Sequence, residues 1–565
     1  MSVRSRLLLS LAIVAGLYCF HVHLKTAKIF ANPTWSATDE VGQFWSEFAF
    51  HYRFAKFFAE KSDWSELNHD RSVQYPDTIN DWAEFTVAME VPVGVLYRWW
   101  QPAMPFHVFV VWYDCLVSSL TLFGVFFLAR ALWRSDAAGV FASALYAGLY
   151  PSYGRTVKNL FLREDFAIPL IVFALFFTVR ALQEQKTRDQ VCGALFWLAA
   201  LASWHLTQFV MAPFVLAAVI VYLGKGETPR LPWLVIVMAT GTVIIPVLRA
   251  KHVYLSPTMC VLYALALAVW INGGRKRATL VFAGWLVGFL ALGWLLGKSY
   301  GEYAHVYQLF FYKLRYLGVK PVDPSRLPWE ARLLWEGAFN TATWGEWWRS
   351  LQWCLPLSLV AMWSAWREKN VALRVVAVFT VLLFPLAWMV VRYFTFLGFA
   401  AAVVAAGKRR WLIVPAIVWQ FAVLNFQPLE RGSPDPASYK PVVQWICENT
   451  PTNAVVLAQI SESPVLLAHT GRPIIMHSKF ENARIRERYR EMFDAIYGSE
   501  EQFSVFALKY GADYFVYDAG YLSAERQYKA GKTFDVNCAA MLFARHPEGL
   551  QRFEPVGLGI FRVRR

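Results

Sequence analysis

A run of about twenty apolar residues has few folds open to it. Backbone in hydrocarbon must satisfy its own hydrogen bonds, and a helix does so within one segment. Such runs recur through the first three quarters of this 565-residue chain. They fall near 7–24, 106–132, 136–152, 166–184, 192–204, 206–223, 231–248, 254–272, 277–296, 351–366, 371–390, 393–406 and 411–427, about thirteen predicted spans. Almost nothing separates 192–204 from 206–223, which predicts a tight helical hairpin. With 57% hydrophobic and 17% charged residues, the chain is poor in charge for a soluble protein of its size. The first run follows Arg4 and Arg6 without a small-residue cleavage site, and reads as a retained signal anchor. The net charge of +15 lies between apolar runs, so the membrane accounts for it and nucleic acid is not expected as a partner.

Orientation follows from the basic residues, which concentrate in cytoplasmic loops. With the N-terminus inside, every second loop is cytoplasmic and each is basic: Arg130 and Arg134; Arg180, Lys186 and Arg188; Lys225 and Arg230; Arg275, Lys276 and Arg277; Arg367 and Lys369; Lys408, Arg409 and Arg410. The periplasmic or lumenal side then receives loops 25–105, 153–165 and 297–350 and the tail from 428. One outside loop, "RTVKNLFLRED", breaks the charge rule with Arg155, Lys158 and Arg163, which suit either helix capping or an anionic ligand at the outer face.

The expected architecture is a polytopic α-helical membrane protein with a transmembrane domain over 1–427 and a small extracytoplasmic α/β domain over 428–565. "RGSPDPAS" is the linker between them. Beyond it, strand-like "AVVLAQI", "PIIMHS", "DYFVYD" and "GIFRVR" alternate with helix-like segments such as "ENARIRERYREMFDAIY". The tail has no Gly-rich phosphate loop. Cys447 and Cys538 are candidates for a disulfide if the tail faces an oxidising compartment.

The polar residues that invite chemistry fall on the outside. Glu47 lies in "WSEFAFHYRFAKFF", with His51, Arg53 and Lys56 at helical spacing, a pattern that also suits a solvated helix face. Arg163, Glu164 and Asp165 stand at the mouth of the fourth span, where a helix cap is the simpler use. His205 and Gln208 sit in the hairpin "SWHLTQF", Lys313 and Arg315 in "FFYKLRYLG", and Arg392 beside the last long spans. Asp114 lies well inside a span and is expected to make a structural hydrogen bond. One carboxylate with several cations suits sugar transfer from a polyprenyl phosphate. The cations stabilise the departing phosphate and the carboxylate serves as base toward a protein acceptor. Such a donor needs no ATP. A lipid or sugar transporter, the non-enzyme alternative, would place polar or broken helices at the bilayer midplane; here the central spans are smooth.

The long first outside loop, about thirteen spans and a soluble tail together resemble the GT-C superfamily of inverting membrane glycosyltransferases. "FWSEFAFHYRFAKFF", "VQYPDTIN", "VLYRWW", "LREDFAIP" and "WHLTQF", in that order over the first 210 residues, resemble the tryptophan C-mannosyltransferase family. That resemblance implies Glu47 as the base on an acceptor indole and Arg163, Arg392, Lys313 and Arg315 around the donor phosphate. Glu164, His205, Gln208 and Arg53 would support them, and no cofactor would be required. Oligosaccharyltransferase catalytic subunits, which N-glycosylate Asn with Mg or Mn, are similar in "EFAFHYR". Here Leu162 replaces the first metal-binding acid, and the sequon-reading motif is absent. Asp39 in "SATDEVGQF" resembles the acid of protein O-mannosyltransferases and lipid A aminoarabinose transferases, and is the alternative base.

Overall fold

The structure, a computed structural model, describes residues 2–225, 230–271, 275–296, 303–407, 412–424, 434–531 and 535–565. The basic triplet Lys408, Arg409 and Arg410 and the start of the linker, 431–433, lie outside the described residues. Among the described residues, helices lie along the predicted apolar runs. Among the described residues, six are long and apolar enough to cross a membrane: Arg4–Phe30, Phe106–Trp133, Arg163–Glu184, His205–Lys225, Arg277–Leu295 and Val371–Met389. Pro232–Ile244, Pro257–Ile271, Val391–Ala405 and Ile413–Val423 are shorter apolar helices. Their composition makes the chain an integral membrane protein, its backbone bonds closed within each segment.

The chain forms two compact units. The first comprises Met1–Ala31, Val111–Tyr300 and Ala338–Glu430. At its centre Phe394–Ala405 is buried on every side, as a helix that is apolar all round must be. Arg277–Leu295 instead exposes Leu280, Val287 and Trp294, surface suited to lipid. The first helix, Val3–Phe30, does more than anchor. The buried Lys25 Nζ donates to Ser118 Oγ at 2.7 Å, and the His21 ring bonds Ser119 Oγ at 2.9 Å and Ser152 Oγ at 3.1 Å. Asp114 also finds its partner, accepting the Phe161 N–H at 3.1 Å.

The second unit gathers Asn32–Val110, Gly301–Gly337 and Arg431–Arg565. Its four-stranded sheet runs in the order β1 (Val456–Leu457), β2 (Tyr514–Val516), β4 (Ile560–Val563), β3 (Phe553–Gly557). β1 and β2 are parallel and the other pairs antiparallel. "PIIMHS" adds only a single bridge, Ile474 to Val456, and β3 is a strand that hydropathy alternation did not announce. Helices Ala483–Ile496, Glu500–Lys509 and Ala539–Arg545 help close a core of Phe493, Phe503, Phe515, Phe543, Phe553 and Phe561. Cys447 is exposed and Cys538 buried, and neither is in a disulfide, which corrects the pairing entertained from sequence.

In the same unit, helix Glu47–Glu60 crosses Glu90–Trp100 at Gly94. A Cβ at Gly94 would lie 2.4 Å from the Ala55 carbonyl oxygen and 2.6 Å from Phe58 Cβ, so only glycine lets the backbones approach this closely. Gly94→Ala is expected to cost about 1–3 kcal/mol. Gly16→Ala, whose Cβ meets nothing within 4 Å, is expected to cost nothing. Unfolding of the purified protein in detergent measures both, and equal midpoints for the two variants would refute the tight crossing.

Candidate active site

Glu47 opens its helix. Ser46 before it has φ +54°, and its N–H bonds the Ser461 carbonyl at 3.1 Å. Trp45 packs edge-on against Tyr439, with ring centroids 5.1 Å apart. A carboxylate in the first turn complements the helix dipole. Glu47 is 33% exposed, and its Oε2 lies 3.8 Å from the buried Lys479 Nζ. Lys479 Nζ is also 2.9 Å from His51 Nε2, and His51 Nδ1 is 2.6 Å from Glu90 Oε1.

The other acids and bases near this helix serve the scaffold. Arg53 pairs with Asp70, approaches Asp81 at 3.6 Å and stacks over Phe54. Burial pushes the Asp81 carboxyl well up, while the Arg53 guanidinium and Ser72 hold Asp70 below the usual range against the same burial. Asp39 meets Lys440 Nζ at 2.5 Å and is held low by it, its desolvation outweighed. Glu40 accepts from Tyr52 and from Lys56 Nζ, the latter at 2.5 Å.

Lys313, on helix Ala304–Arg315 of the same unit, is buried with its ammonium 4.7 Å from the Trp335 ring centroid. Burial, aided by the charge of Lys320, pushes it down to about 7. Arg315 is exposed, next to the Tyr316 ring.

In the membrane unit, Glu164 is clamped between two guanidinium groups. Arg155 Nε donates to Oε2 at 2.8 Å and Arg392 Nε to Oε1. Arg392 also lies over the Trp204 ring at 5.0 Å and the Phe339 ring at 5.6 Å. Arg163 is buried on the same helical turn. His205 starts the short turn His205–Thr207 and Gln208 the helix Gln208–Lys225, both buried. The turn between Thr187–Ser203 and Gln208–Lys225 brings Trp204 to Arg392, but the two helices pack mainly on other helices and not on each other, which corrects the tight hairpin expected from sequence. Arg155, one of the basic residues that broke the charge rule, has an internal acid as its partner.

The structure thus joins Glu164 to Arg392 and leaves Arg53 and Asp39 in ion pairs of their own. Sequence reasoning had no signal for Lys479, Glu90 or Lys440 as site neighbours, since each partner lies far along the chain.

These features place the chain in a class of integral membrane proteins with the oligosaccharyltransferase fold. Archaeal oligosaccharyltransferase AglB from Archaeoglobus fulgidus, solved in complex with an inhibitory peptide and a dolichol-phosphate, matches with a TM-score of 0.68 at 13% identity, over 94% of this chain and 71% of that one. The Archaeoglobus fulgidus oligosaccharyltransferase in the apo form gives 0.59 at 13% identity, over 93% and 71%. The chain belongs to the Dpy19 family, described as Q-cell neuroblast polarisation, whose model matches residues 13–311 and 412–535. The C-mannosyltransferase dpy-19 homolog of Drosophila melanogaster is 23% identical over 190 residues, 30% of this chain and 21% of the fly protein's length.

Removing the charge of Glu164 would strand two guanidinium groups around a buried site. Glu164→Gln is expected to destabilise the protein by about 3 kcal/mol, and Arg392→Gln by less, because the Arg155 pair remains. Denaturant unfolding in detergent tests this, and a Glu164→Gln curve superimposed on the parent's would reject the clamp.

Proposed function

We propose that this chain is an inverting membrane glycosyltransferase that moves mannose from a polyprenyl- or dolichyl-phosphate donor to C2 of a tryptophan in a protein acceptor. The observation that carries this reading is the Dpy19 family match over 13–311, which takes in Glu47, Glu164, His205 and Gln208. The fly relative named a C-mannosyltransferase supplies the activity. The reading includes the GT-C-like body of about thirteen spans over 1–427, a cytoplasmic N-terminus, and the outside loops and α/β tail over 428–565 on the periplasmic or lumenal side.

In the reaction a carbon–carbon bond forms between the sugar's anomeric carbon and indole C2, while the bond from that carbon to the phosphate oxygen breaks. The phosphate keeps the electron pair and leaves on its lipid. Arg163, Arg392, Lys313 and Arg315 bind that phosphate, whose charge grows in the transition state. A phosphate dianion would draw the desolvated Lys313 back to its ammonium form. Glu47 takes the C2 proton as the indole regains aromaticity. Its exposure and place at a helix start support this assignment over Asp39, which Lys440 occupies at 2.5 Å. No metal enters the scheme. Both oxygens of Glu164 already accept from guanidinium groups, a poor ligand for a divalent cation.

Purified protein incubated with polyprenyl-phosphate mannose and a Trp-x-x-Trp peptide is expected to add one hexose to the indole, located by fragmentation. Glu47→Gln should lower the rate by about 10²–10⁴-fold. Transfer instead to an Asn-x-Ser peptide from a lipid-linked oligosaccharide would replace this function with N-glycosylation. No transfer to either peptide would overturn the enzymatic reading.

A further inference from the structure

Helix Ala304–Arg315 is built the reverse of a helix in water, which turns its charges out and its apolar residues in. Lys313 is fully buried, on the side that packs against helix Trp329–Leu334. Phe311, Leu314, Leu317, Val319 and Val322 are each more than half exposed, Val322 at 95%. The first three recur every third residue, so they share one side of the helix and of the turn that ends it. Leu317 stands in that turn at φ +48°, a conformation that favours glycine, with its side chain outward. A strained leucine held out in the open makes sense where the medium around it is not water.

Chain length and composition say what that medium is. Residues 296–303 alone separate this helix from Arg277–Leu295, one of the helices long and apolar enough to cross a membrane. Fully extended, such a tether reaches at most about 30 Å, too short to carry the segment away from a bilayer. Tyr312 and Tyr316 stack beside the apolar row with ring centroids 6.4 Å apart, and Arg315 is exposed next to the Tyr316 ring. Tyrosines that join an apolar body to a polar tip, with a cation at their level, are the composition of a membrane–water interface. An apolar row edged by an exposed guanidinium also matches acyl chains edged by lipid phosphate.

We propose that segment 311–322 lies in the surface of the bilayer, with Phe311, Leu314, Leu317, Val319 and Val322 among the upper acyl chains and Arg315 at the level of the lipid phosphates. The unit that holds Glu47 and the four-stranded sheet thereby has a lipid attachment of its own, besides its chain connections to the membrane unit. The inference rests on the membrane character of the chain and is independent of the proposed sugar transfer.

The test uses the full chain reconstituted in vesicles of phosphatidylcholine and phosphatidylglycerol, a fraction of the lipid carrying a diazirine high on its acyl chain. After illumination, digestion and mass spectrometry locate the lipid adducts. Adducts are expected on 311–322, as on Arg277–Leu295, and not on Val505 or Val536, which are apolar and more than half exposed in the same unit as 311–322. Leu314→Gln combined with Leu317→Gln is expected to lower the labelling of 311–322 about tenfold and to leave that of Arg277–Leu295 as in the parent. Both side chains are exposed, so the unfolding midpoint in detergent should stay at the parent's value. Absence of lipid adducts on 311–322 overturns the proposal, and cross-links between two copies of the chain at this segment would then assign the face to a dimer. Labelling of Val505 and Val536 to the same extent as 311–322 overturns it as well, because the adducts would then report exposure and not contact with lipid.

Discussion

A charge withdrawn from water must meet an opposite charge or give up its ionisation. The buried polar architecture of this chain follows that constraint in both of its units. In the membrane unit, Glu164 receives one guanidinium on each oxygen. Lys25 is met by Ser118 and lies in the field of Asp165 and Asp114. In the other unit, Arg53 stands between Asp70 and Asp81, and Lys479 between Glu47 and an imidazole backed by Glu90. These arrays join segments that are remote in sequence, and they fix side-chain directions that apolar packing alone leaves loose.

Complete pairing also separates scaffold from chemistry. An acid whose oxygens both accept from fixed cations has little capacity left for a substrate proton, as at Glu164. A cation between two carboxylates, such as Arg53, offers little attraction to a phosphate. Glu47 differs in each respect. It keeps a third of its surface open, its counter-ion is at 3.8 Å and not at hydrogen-bond distance, and among the described residues no second cation shares it. The contrast with Asp39, 2.5 Å from Lys440, is one of geometry, since both acids sit in the same segment between the first two apolar helices.

The helices were legible in the sequence because hydropathy is a local property: each span declares itself without reference to the rest of the chain. Strands in the tail were less so. Val456–Leu457 is two residues long, and the strand-like apolar run of "PIIMHS" contributes one bridge, because a short buried run packs as readily in a loop against helices as in a ladder. Roles of charged residues were the least legible. Arg53 drew notice by its spacing from Glu47, but the partners that set its role, Asp70 and Asp81, come from a later turn of the same loop. Lys479 had no signal at all, since 428 residues separate it from His51. Spacing reports which residues share a helix face, and the pairing that decides their chemistry is tertiary.

One local feature shows how tertiary pairing shapes even the start of a helix. Leu160 and Phe161, ahead of Arg163–Glu184, both have positive φ, +52° and +54°, where a side chain is strained and glycine would be easier. Leu162 offers the new helix no side-chain cap. The turn holds because the Asp114 carboxylate takes the Phe161 N–H from within the membrane unit, and because Glu164 and Asp165 place negative charge at the helix's positive end. Asp114 is thus the partner that makes a strained turn tolerable, and that turn sets where Glu164 emerges to meet Arg155 and Arg392. A carboxylate inside an apolar helix, which sequence alone marks only as unusual, is here the support on which the Glu164 ion cluster stands.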